Sequence, residues 1–467
     1  MSLVCFKPIQ RLVGYYRDPA YFRELFRIGM PIAFQQFVFS LLNMVGNVLV
    51  GQRGDVAMAA VSVAGQIYFL LSLFLFGVAS GSAMVTAQLW GKRDVPTIRK
   101  VLALCLWLSL GISGLFLLVS EFFPVQILSI YSSDPAVLAL GSAYLRIMAG
   151  SFLFFAVTFS YALVLRSMGN VKLPVGVSVA SLALNILLTY GFIFGKLGLP
   201  ELGVLGAAWA MLIARLLECV VLLLFTYLGR SPAAASWSEL CSFDGKFFLR
   251  VMKPVWPVIL NELLWSLGIS AYNAVYGHIG TGALAAINVL SSVDNIAMVL
   301  FMGISNGTSV AVGNRIGAGD VESAYRYVGR SIGLGTALAL VVGAAVWLLR
   351  APVVSLYKIS PQAAASAYQL LTILGGLLWL RMTNMTLIIG MLRAGGDTRF
   401  SLFLDGVIIW VLGVPMALLG AFVLHLPVQW VYLMVMSEEA AKYVLGLRRY
   451  VSRRWIHDLT HLSVAAD

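Results

Sequence analysis

Hydrophobic residues occur along this chain in long, nearly unbroken stretches that are separated by short polar segments. A helix needs about 20 apolar residues to cross a hydrocarbon core, and twelve stretches reach that length. They lie at residues 26–50, 57–88, 101–122, 136–164, 173–195, 203–228, 250–276, 283–314, 325–349, 362–390, 399–424 and 427–447. Ten-residue segments of alternating polarity, typical of membrane β-barrels, do not occur. The pattern predicts an all-α integral membrane protein with twelve transmembrane helices, called spans 1 to 12 below.

The second half of the chain repeats the first. At an offset of 226 positions the sequence matches itself at many landmarks. The pairs include Pro31 and Pro257, Asn47 and Asn273, Gly77 and Gly303, Gly81 and Gly307, and Asp94 and Asp320. At an offset of 227, R-S-M-G-N-V-K at 166–172 matches R-A-G-G-D-T-R at 393–399. Each repeat contains six spans, an even number, so both halves run in the same direction as a parallel repeat.

A parallel repeat of this kind predicts two six-helix bundles with a central cleft, which opens to alternate sides when the bundles rock. The predicted segments are a cytoplasmic N-terminal segment at 1–25, an N-lobe at 26–228, a cytoplasmic linker at 229–249, a C-lobe at 250–447 and a cytoplasmic C-terminal tail at 448–467.

Composition and charge agree with this picture. Hydrophobic residues make up 60% of the chain and charged residues 11%, and the mean hydropathy is +0.91. The formal charge of +12 comes mainly from every second loop, and the positive-inside rule therefore places both termini in the cytoplasm of a cell-membrane protein. The surplus charge faces membrane lipids, so no nucleic-acid partner is expected.

Corresponding turns in the two repeats begin with an arginine, Arg166 and Arg393. Their Gly and Asn or Asp residues suit tight turns with positive φ. Each arginine can cap the preceding helix and meet lipid phosphate. We expect both segments to form tight cytoplasmic turns rather than a gating lock.

Signatures of enzymes are missing from the sequence. There is no Walker A, H-E-x-x-H or nucleophile-elbow motif, and the four cysteines show no paired spacing. We therefore expect neither catalysis, nor a cofactor, nor a disulfide framework.

Several motifs, taken in order, make the chain resemble the multidrug and toxic compound extrusion (MATE) family over about residues 20 to 450. They are R-I-G-M-P-I-A-F-Q-Q at 27–36, G-V-A-S-G-S-A at 77–83, N-G-T-S-V-A-V-G-N-R-I-G-A-G at 306–319 and L-R-A-G-G-D-T-R at 392–399. The resemblance implies two six-helix lobes and export of organic, usually cationic and amphipathic compounds, driven by inward Na⁺ or H⁺.

The sequence also departs from the family. Many relatives carry an aspartate within a V-D-T pattern in span 1, where this chain reads Val45, Gly46, Asn47. The tyrosine and aspartate that sodium-coupled relatives carry in span 10 correspond to Leu378 and Met382. The resemblance thus supports transport and leaves the coupling ion open.

Charged residues inside spans are functional candidates, because each costs about 2.5–3.5 kcal/mol at a helix centre. They are Glu262 in span 7, Asp294 in span 8, Arg381 in span 10 and Asp405 in span 11. The first repeat lacks all three acids, which places the charge chemistry in the C-lobe. Na⁺ would take oxygen ligands from Glu262 and Asp294, helped by Asn288, Asn261 or backbone carbonyls, whereas H⁺ would need Glu262 alone.

Structural roles compete with these. Arg381 could instead pair permanently with one of the acids and hold helices together. Glu438, Glu439 and Lys442, near the cytoplasmic end of span 12, are expected to snorkel or to pair with one another.

The substrate is expected between spans 1, 2, 7 and 8. Aromatic faces suit an organic cation, and amides orient it. The candidate residues are Gln36, Asn47, Gln66, Trp265, Tyr272 and Asn273.

Two rival functions predict different sequence features. A lipid-linked saccharide flippase would line its cleft with several arginines, and a membrane enzyme or receptor would show a catalytic cluster or an unduplicated bundle. The sequence favours an ion-coupled exporter of small organic compounds, expected to be a monomer.

Overall fold

The computed structural model describes residues 18–242 and 244–462, and most of these residues are helical. Within this part of the chain the extended backbone is limited to one isolated bridge, between Gly396 and Ile456. The prediction of an all-α chain is confirmed.

Twelve long helices follow one another, one for each predicted span. They are α1 Pro19–Gly51, α2 Asp55–Gly91, α3 Val95–Phe122, α4 (the pair Pro135–Ala149 and Phe152–Ser167), α5 Lys172–Phe194, α6 Leu205–Leu228, α7 Gly245–Ile279, α8 Thr281–Gly317, α9 Val321–Ser355, α10 Pro361–Arg393, α11 Thr398–Val423 and α12 Val428–Val451. The two parts of α4 meet at an angle of 47°. Short helices at Pro124–Leu128 and Trp237–Leu240 and a 3₁₀ turn at Thr460–Leu462 complete the described chain.

Length and polarity distinguish the helices. Of those described, nine are long and apolar enough to cross a membrane, and the bent pair α4 makes a tenth. The other two are α7 and α12. These helices carry Glu262 and the cluster of Glu438, Glu439 and Lys442, whereas Asp294, Arg381 and Asp405 lie on helices that are apolar enough to cross a membrane.

The matched aspartates of the two repeats cap matched helices. Asp94 accepts a hydrogen bond from the Thr97 backbone N–H at the start of α3, and Asp320 does the same for Ser323 at the start of α9. An N-cap carboxylate satisfies one of the free N–H groups of a first helical turn. The repeated Asp therefore has a structural cause.

The helices form two compact units. The C-unit comprises residues 18–33 and Leu260–Thr460, and the N-unit comprises Phe34–Ile259 with residues 461–462. Each unit holds most of one repeat, but the first part of α1 packs with the second repeat and the first part of α7 packs with the first. The offset of 226 does not by itself predict this exchange.

Glycines make the exchanged packing possible. In the C-unit, a Cβ added to Gly303 of α8 would lie 2.6 Å from the Gly29 carbonyl oxygen of α1. In the N-unit, a Cβ on Gly77 of α2 would lie 2.9 Å from the Ile259 Cα of α7. Gly77 and Gly303 are repeat partners, so each repeat uses the same glycine to admit a helix backbone from the other.

The cores lie within the units. The N-unit core gathers around Leu71, Leu75 and Phe152, all fully buried. One C-unit core contains Phe301 and Leu378, and another contains Tyr21 and Trp455. The C-unit helices α7, α8, α10, α11 and α12 carry the polar groups described next.

Candidate functional site

Glu262 forms an ion pair inside the C-unit. Its residue is 8% exposed, and the Arg393 Nη2 atom at the end of α10 lies 2.6 Å from its Oε1 atom. The Nε and Nη1 atoms of Arg393 are buried without a hydrogen-bond partner. The expectation that Arg393 meets lipid phosphate is wrong, because its side chain is buried against Glu262.

In the first repeat the corresponding arginine contacts an uncharged side chain. Arg166, the repeat partner of Arg393, donates a hydrogen bond of 2.6 Å from Nη2 to the Gln35 Oε1 atom. Gln35 is next to Gln36, the repeat partner of Glu262. An arginine thus meets an amide in the N-unit and a carboxylate in the C-unit.

Asp405 connects α7 to α12. The Asn261 side-chain amide donates to Asp405 Oδ2 at 3.0 Å, and the Lys442 ammonium lies 3.2 Å from Asp405 Oδ1. Asp405 also interacts electrostatically with Glu262. The two acids predicted in spans 7 and 11 therefore belong to one polar network.

Lys442 is the centre of that network. Its side chain is 2% exposed, and its Nζ atom lies 3.5 Å from Glu438 Oε1 and 3.8 Å from Glu439 Oε1. Of the two roles expected for these α12 residues, the structure shows pairing: the side chains of Glu438 and Lys442 are buried, and that of Glu439 is 12% exposed. The sequence offered one signal for them, the low hydropathy of span 12.

Polar side chains from other helices complete the network. The Tyr272 hydroxyl of α7 donates to Glu438 Oε2 at 2.6 Å, and the Asn384 amide of α10 donates to Glu439 Oε2 at 2.7 Å. The Oδ1 atoms of Asn261 and Asn384 are buried without a donor. Two acceptors that need a proton donor or a cation therefore lie beside the carboxylates.

The network carries more acids than bases. Its carboxylates are Glu262, Asp405, Glu438 and Glu439, and its bases are Arg393 and Lys442. With every group ionised, four negative charges face two positive ones. An interior of low dielectric favours neutralising the remaining two.

Helix geometry explains why these groups meet. Arg393 ends a π-helical stretch, Thr386–Arg393, and Asp405 lies in another, Leu402–Val407. A π turn shifts the side chains after it relative to α-helical spacing, and such turns are frequent at functional sites. Gly413 of α11 matters as well, because a Cβ there would overlap the Tyr272 hydroxyl and the Glu438 carboxylate.

Asp294 and Arg381 pair with each other at the border of the network, where Arg381 also interacts electrostatically with Glu439. The Arg381 Nη1 atom donates to Asp294 Oδ1 at 2.7 Å, and the two side chains are 18% and 13% exposed. Neither residue contacts Glu262 in the described structure. This arrangement matches the structural alternative, in which the pair joins α8 to α10.

The other predicted residues are dispersed. Asn288, the proposed additional ligand, is exposed, as are Gln66 and Asn273. Gln36 is half-buried, Trp265 packs against a C-unit core, and Tyr272 is bonded to Glu438. Among the described residues no group of three or more His, Cys, Asp or Glu is arranged to hold a metal ion.

Asn47 lies in a cavity of the N-unit with a volume of about 290 Å³. Amides and aromatic rings dominate the polar part of its lining, from Asn43, Asn47, Tyr68, Tyr144 and Asn185. Of the described residues that line it, Arg215 is charged and none is a carboxylate.

Arg215 is balanced by neighbours on α6 and α2. Its Nη1 atom lies 2.7 Å from Glu218 Oε2, as expected for two residues three apart on one helix, and its Nη2 atom donates to the Tyr68 hydroxyl at 2.9 Å. The guanidinium also lies 4.8 Å from the centre of the Phe155 ring. The one charged side chain that the structure describes in the cavity wall is therefore nearly neutralised by its neighbours.

Comparison with known proteins tests the repeat directly. The MatE family model matches the chain twice, at residues 31–191 and 257–419. The two matches begin 226 positions apart, which is the offset found from the sequence alone.

Curated relatives match over nearly their whole length. The chain is 23% identical over 433 residues to the uncharacterized transporter YisQ of Bacillus subtilis, covering 93% of this chain and 95% of YisQ. It is 28% identical over 411 residues to the multidrug resistance protein MdtK of Edwardsiella ictaluri, covering 86% and 87%.

A solved structure shares the fold. A MATE protein crystallised in a bent conformation superimposes with a TM-score of 0.83 at 19% identity, covering 95% of this chain and 96% of that one. Because the family model matches both repeats and the relatives match across the whole bundle, the chain belongs to the MATE family of multi-pass membrane transporters, and it is not an enzyme.

Proposed function

We propose that this protein is a secondary active exporter that exchanges an organic, amphipathic compound for an inward-moving Na⁺ or H⁺. It would act as a monomer in the cell membrane, with both termini in the cytoplasm. One observation carries the proposal: the polar network of the C-unit contains four carboxylates and two bases, most of them buried.

An unbalanced network provides a means of coupling. Two uncompensated charges in a low-dielectric interior are costly, so the empty network needs contact with water. A bound cation lowers that cost and lets the site close. The empty network is therefore more stable when it is open to water, and the cation-loaded network can be stable when it is closed. This difference between the two states is the requirement for alternating access.

Glu262 has a particular place in this scheme. Its carboxylate holds Arg393, so neutralising Glu262 would weaken the contact between the end of α10 and α7. Asp405, beside Asn261, connects that contact to α12. We assign coupling to Glu262 and Asp405 from the predicted set, together with Glu438, Glu439 and Lys442, and a structural role to Asp294 and Arg381.

For the substrate we propose the N-unit cavity. It contains Asn47 of the predicted set, and it adds Tyr68, Tyr144 and Asn185. Its volume of about 290 Å³ is at the lower end of small-molecule sites. Aromatic faces suit an organic cation, and Glu218 offsets the charge of Arg215, so an amphipathic cation is the first probe to use.

The test uses purified protein in liposomes and the organic cation ethidium. A proton gradient and a sodium gradient are imposed separately, and wild type is compared with Glu262→Gln. We expect at least one gradient to drive ethidium transport, and Glu262→Gln to lower the driven rate by at least about tenfold.

Glu121→Gln is the matched control, because Glu121 is exposed at the end of α3 and lies outside the network. It should transport like wild type. Gradient-driven transport that is equal in Glu262→Gln and wild type would remove Glu262 from the mechanism. Absence of transport under both gradients, with carboxyfluorescein as well as ethidium, would contradict the exporter itself.

A further inference from the structure

Lys442 occupies the centre of the carboxylate cluster. Its ammonium lies 3.2 Å from Asp405, 3.5 Å from Glu438 and 3.8 Å from Glu439. An ammonium has three donors, and here three carboxylates from α11 and α12 surround it. The position that a metal ion would take among these oxygens is filled by the protein's own cation.

This arrangement treats a proton and a metal ion differently. A metal ion needs several oxygens in direct contact, within about 2.6 Å as for Ca²⁺, and at this centre it would meet the positive charge of Lys442. A proton adds to one carboxylate and requires no vacancy. From Lys442 and its three acids we infer that H⁺, and not Na⁺, is the coupling ion, and that Lys442 determines the choice.

The surrounding groups support a proton. Three acids around one lysine leave two charges unbalanced, so protonation reduces the net charge while Lys442 stays in place. The buried Oδ1 atoms of Asn261 and Asn384 lack a donor. The amide nitrogens of Asn261 and Asn384 already donate to Asp405 and Glu439, respectively. Each unpartnered amide oxygen therefore belongs to a side chain that contacts a carboxyl group, and that carboxyl group gains an O–H donor when it is protonated.

Other charged groups near the cluster are already paired. Arg393 contacts Glu262, and Arg381 contacts Asp294. Tyr272 donates to Glu438 from α7. Asp405, Glu438 and Glu439 are therefore the sites at which a proton changes the charge balance around Lys442.

This inference rests on the proposed function, but it is tested separately. Thermal stability of the purified protein is measured in NaCl and in choline chloride at equal ionic strength, for wild type, Lys442→Met and Lys442→Arg. For wild type and for Lys442→Arg, the thermal unfolding midpoint should be the same in NaCl as in choline chloride. In Lys442→Met, three acids without a base should bind Na⁺, and NaCl should raise the midpoint by about 2 °C or more.

Arg215→Met, which removes a buried base from the N-unit pair, is the matched control and should show no sodium response. Stabilisation of wild type by Na⁺, or the absence of a sodium response in well-folded Lys442→Met, would overturn the inference.

Wild-type transport gives a readout that does not depend on how the variants fold. A proton gradient should drive ethidium transport, and a sodium gradient at equal pH should drive it at least about tenfold more slowly. Transport driven by sodium alone would contradict the role of Lys442. If neither gradient moves the probe, the proposed function fails, while the salt comparison still decides whether Lys442 excludes Na⁺.

Discussion

Arg393 contacts Glu262 at 2.6 Å, and its repeat partner Arg166 contacts Gln35 at 2.6 Å. Both arginines lie in the last turn of the fourth long helix of their repeat, and both reach the proline-containing helix that opens it. The fold therefore accommodates this contact with either an amide or a carboxylate. The charge of Glu262 is present in one repeat only, and packing alone does not require it.

Removing Arg393 should cost far more stability than removing the Glu262 charge. Arg393→Gln leaves a buried carboxylate without its base, a change that costs about 3–5 kcal/mol. Glu262→Gln keeps an amide acceptor opposite Arg393, as Gln35 provides one for Arg166 in the N-unit, and should cost less than about 1 kcal/mol. The double variant should regain much of the loss seen in Arg393→Gln, measured by thermal unfolding in detergent.

Arg399→Gln removes an exposed arginine nearby and serves as the reference for this series. Equal stability of Arg393→Gln and Arg399→Gln would show that the buried pair contributes nothing.

The paired glycines should be intolerant of a methyl group. Gly77→Ala and Gly303→Ala each force a Cβ against a helix backbone, and overpacking of this kind costs about 1–3 kcal/mol. Gly376→Ala is the control, since a Cβ there meets nothing within 4 Å and alanine favours a helix by up to about 1 kcal/mol. Unfolding midpoints that rank the three variants equally would contradict the close packing.

Much of the fold could be predicted from the sequence. Apolar length locates the twelve helices because a span must satisfy its backbone within lipid. The repeat is visible because turns and close approaches need particular residues, as Asp94, Asp320, Gly77 and Gly303 show. Apolar length and the internal repeat can both be recognised in the sequence without knowing which helices contact each other.

The site was predicted only in part, since side-chain partners depend on helix rotation. Glu262 and Asp405 could be identified from the cost of burying a charge. The turn motif that Arg393 opens predicts a contact with lipid phosphate, whereas in the structure Arg393 ends a π-helical stretch and its side chain is buried. Lys442 was placed at a helix end, but it is the fifteenth residue of the 24-residue α12 and is buried.

Filling the N-unit cavity should block substrate without unfolding the protein. Gly65 lines the cavity, and a Cβ at this position meets nothing within 4 Å. Gly65→Leu should therefore lower the rate of ethidium transport by at least about tenfold while the unfolding midpoint stays near that of wild type. Gly111→Leu makes the same change at an exposed, open position of α3 and should transport normally. Unimpaired transport by Gly65→Leu would place the substrate elsewhere.

The segment after α12 should contribute to stability. Trp455 is fully buried, and the neighbouring His457 backbone N–H donates to the Gly395 carbonyl at 2.7 Å. Trp455→Ala should cost about 3–5 kcal/mol through the cavity it leaves. Trp237→Ala, at a side chain that is 72% exposed, should change the unfolding midpoint little. A small effect of Trp455→Ala would mean that the segment is not anchored as described.

Acid should loosen the linker between the repeats. Arg99 lies 2.7 Å from Glu239 and also donates to the Pro232 carbonyl. The hydrogen bond from Arg99, followed by that from the Ser236 backbone, lowers the pKa of Glu239 below its ordinary value of 4.5. Because the folded pKa is the lower one, this stabilisation is present above pH 4.5 and is lost as the pH falls through the folded value.

Hydrogen exchange across residues 229–242, corrected for its intrinsic pH dependence, should accelerate in that range. Glu239→Gln should exchange faster at neutral pH and show little further change on acidification, whereas Glu201→Gln, outside the linker, should leave the wild-type profile intact. A wild-type profile that stays flat through this range would show that Arg99 does not hold the linker through the charge of Glu239.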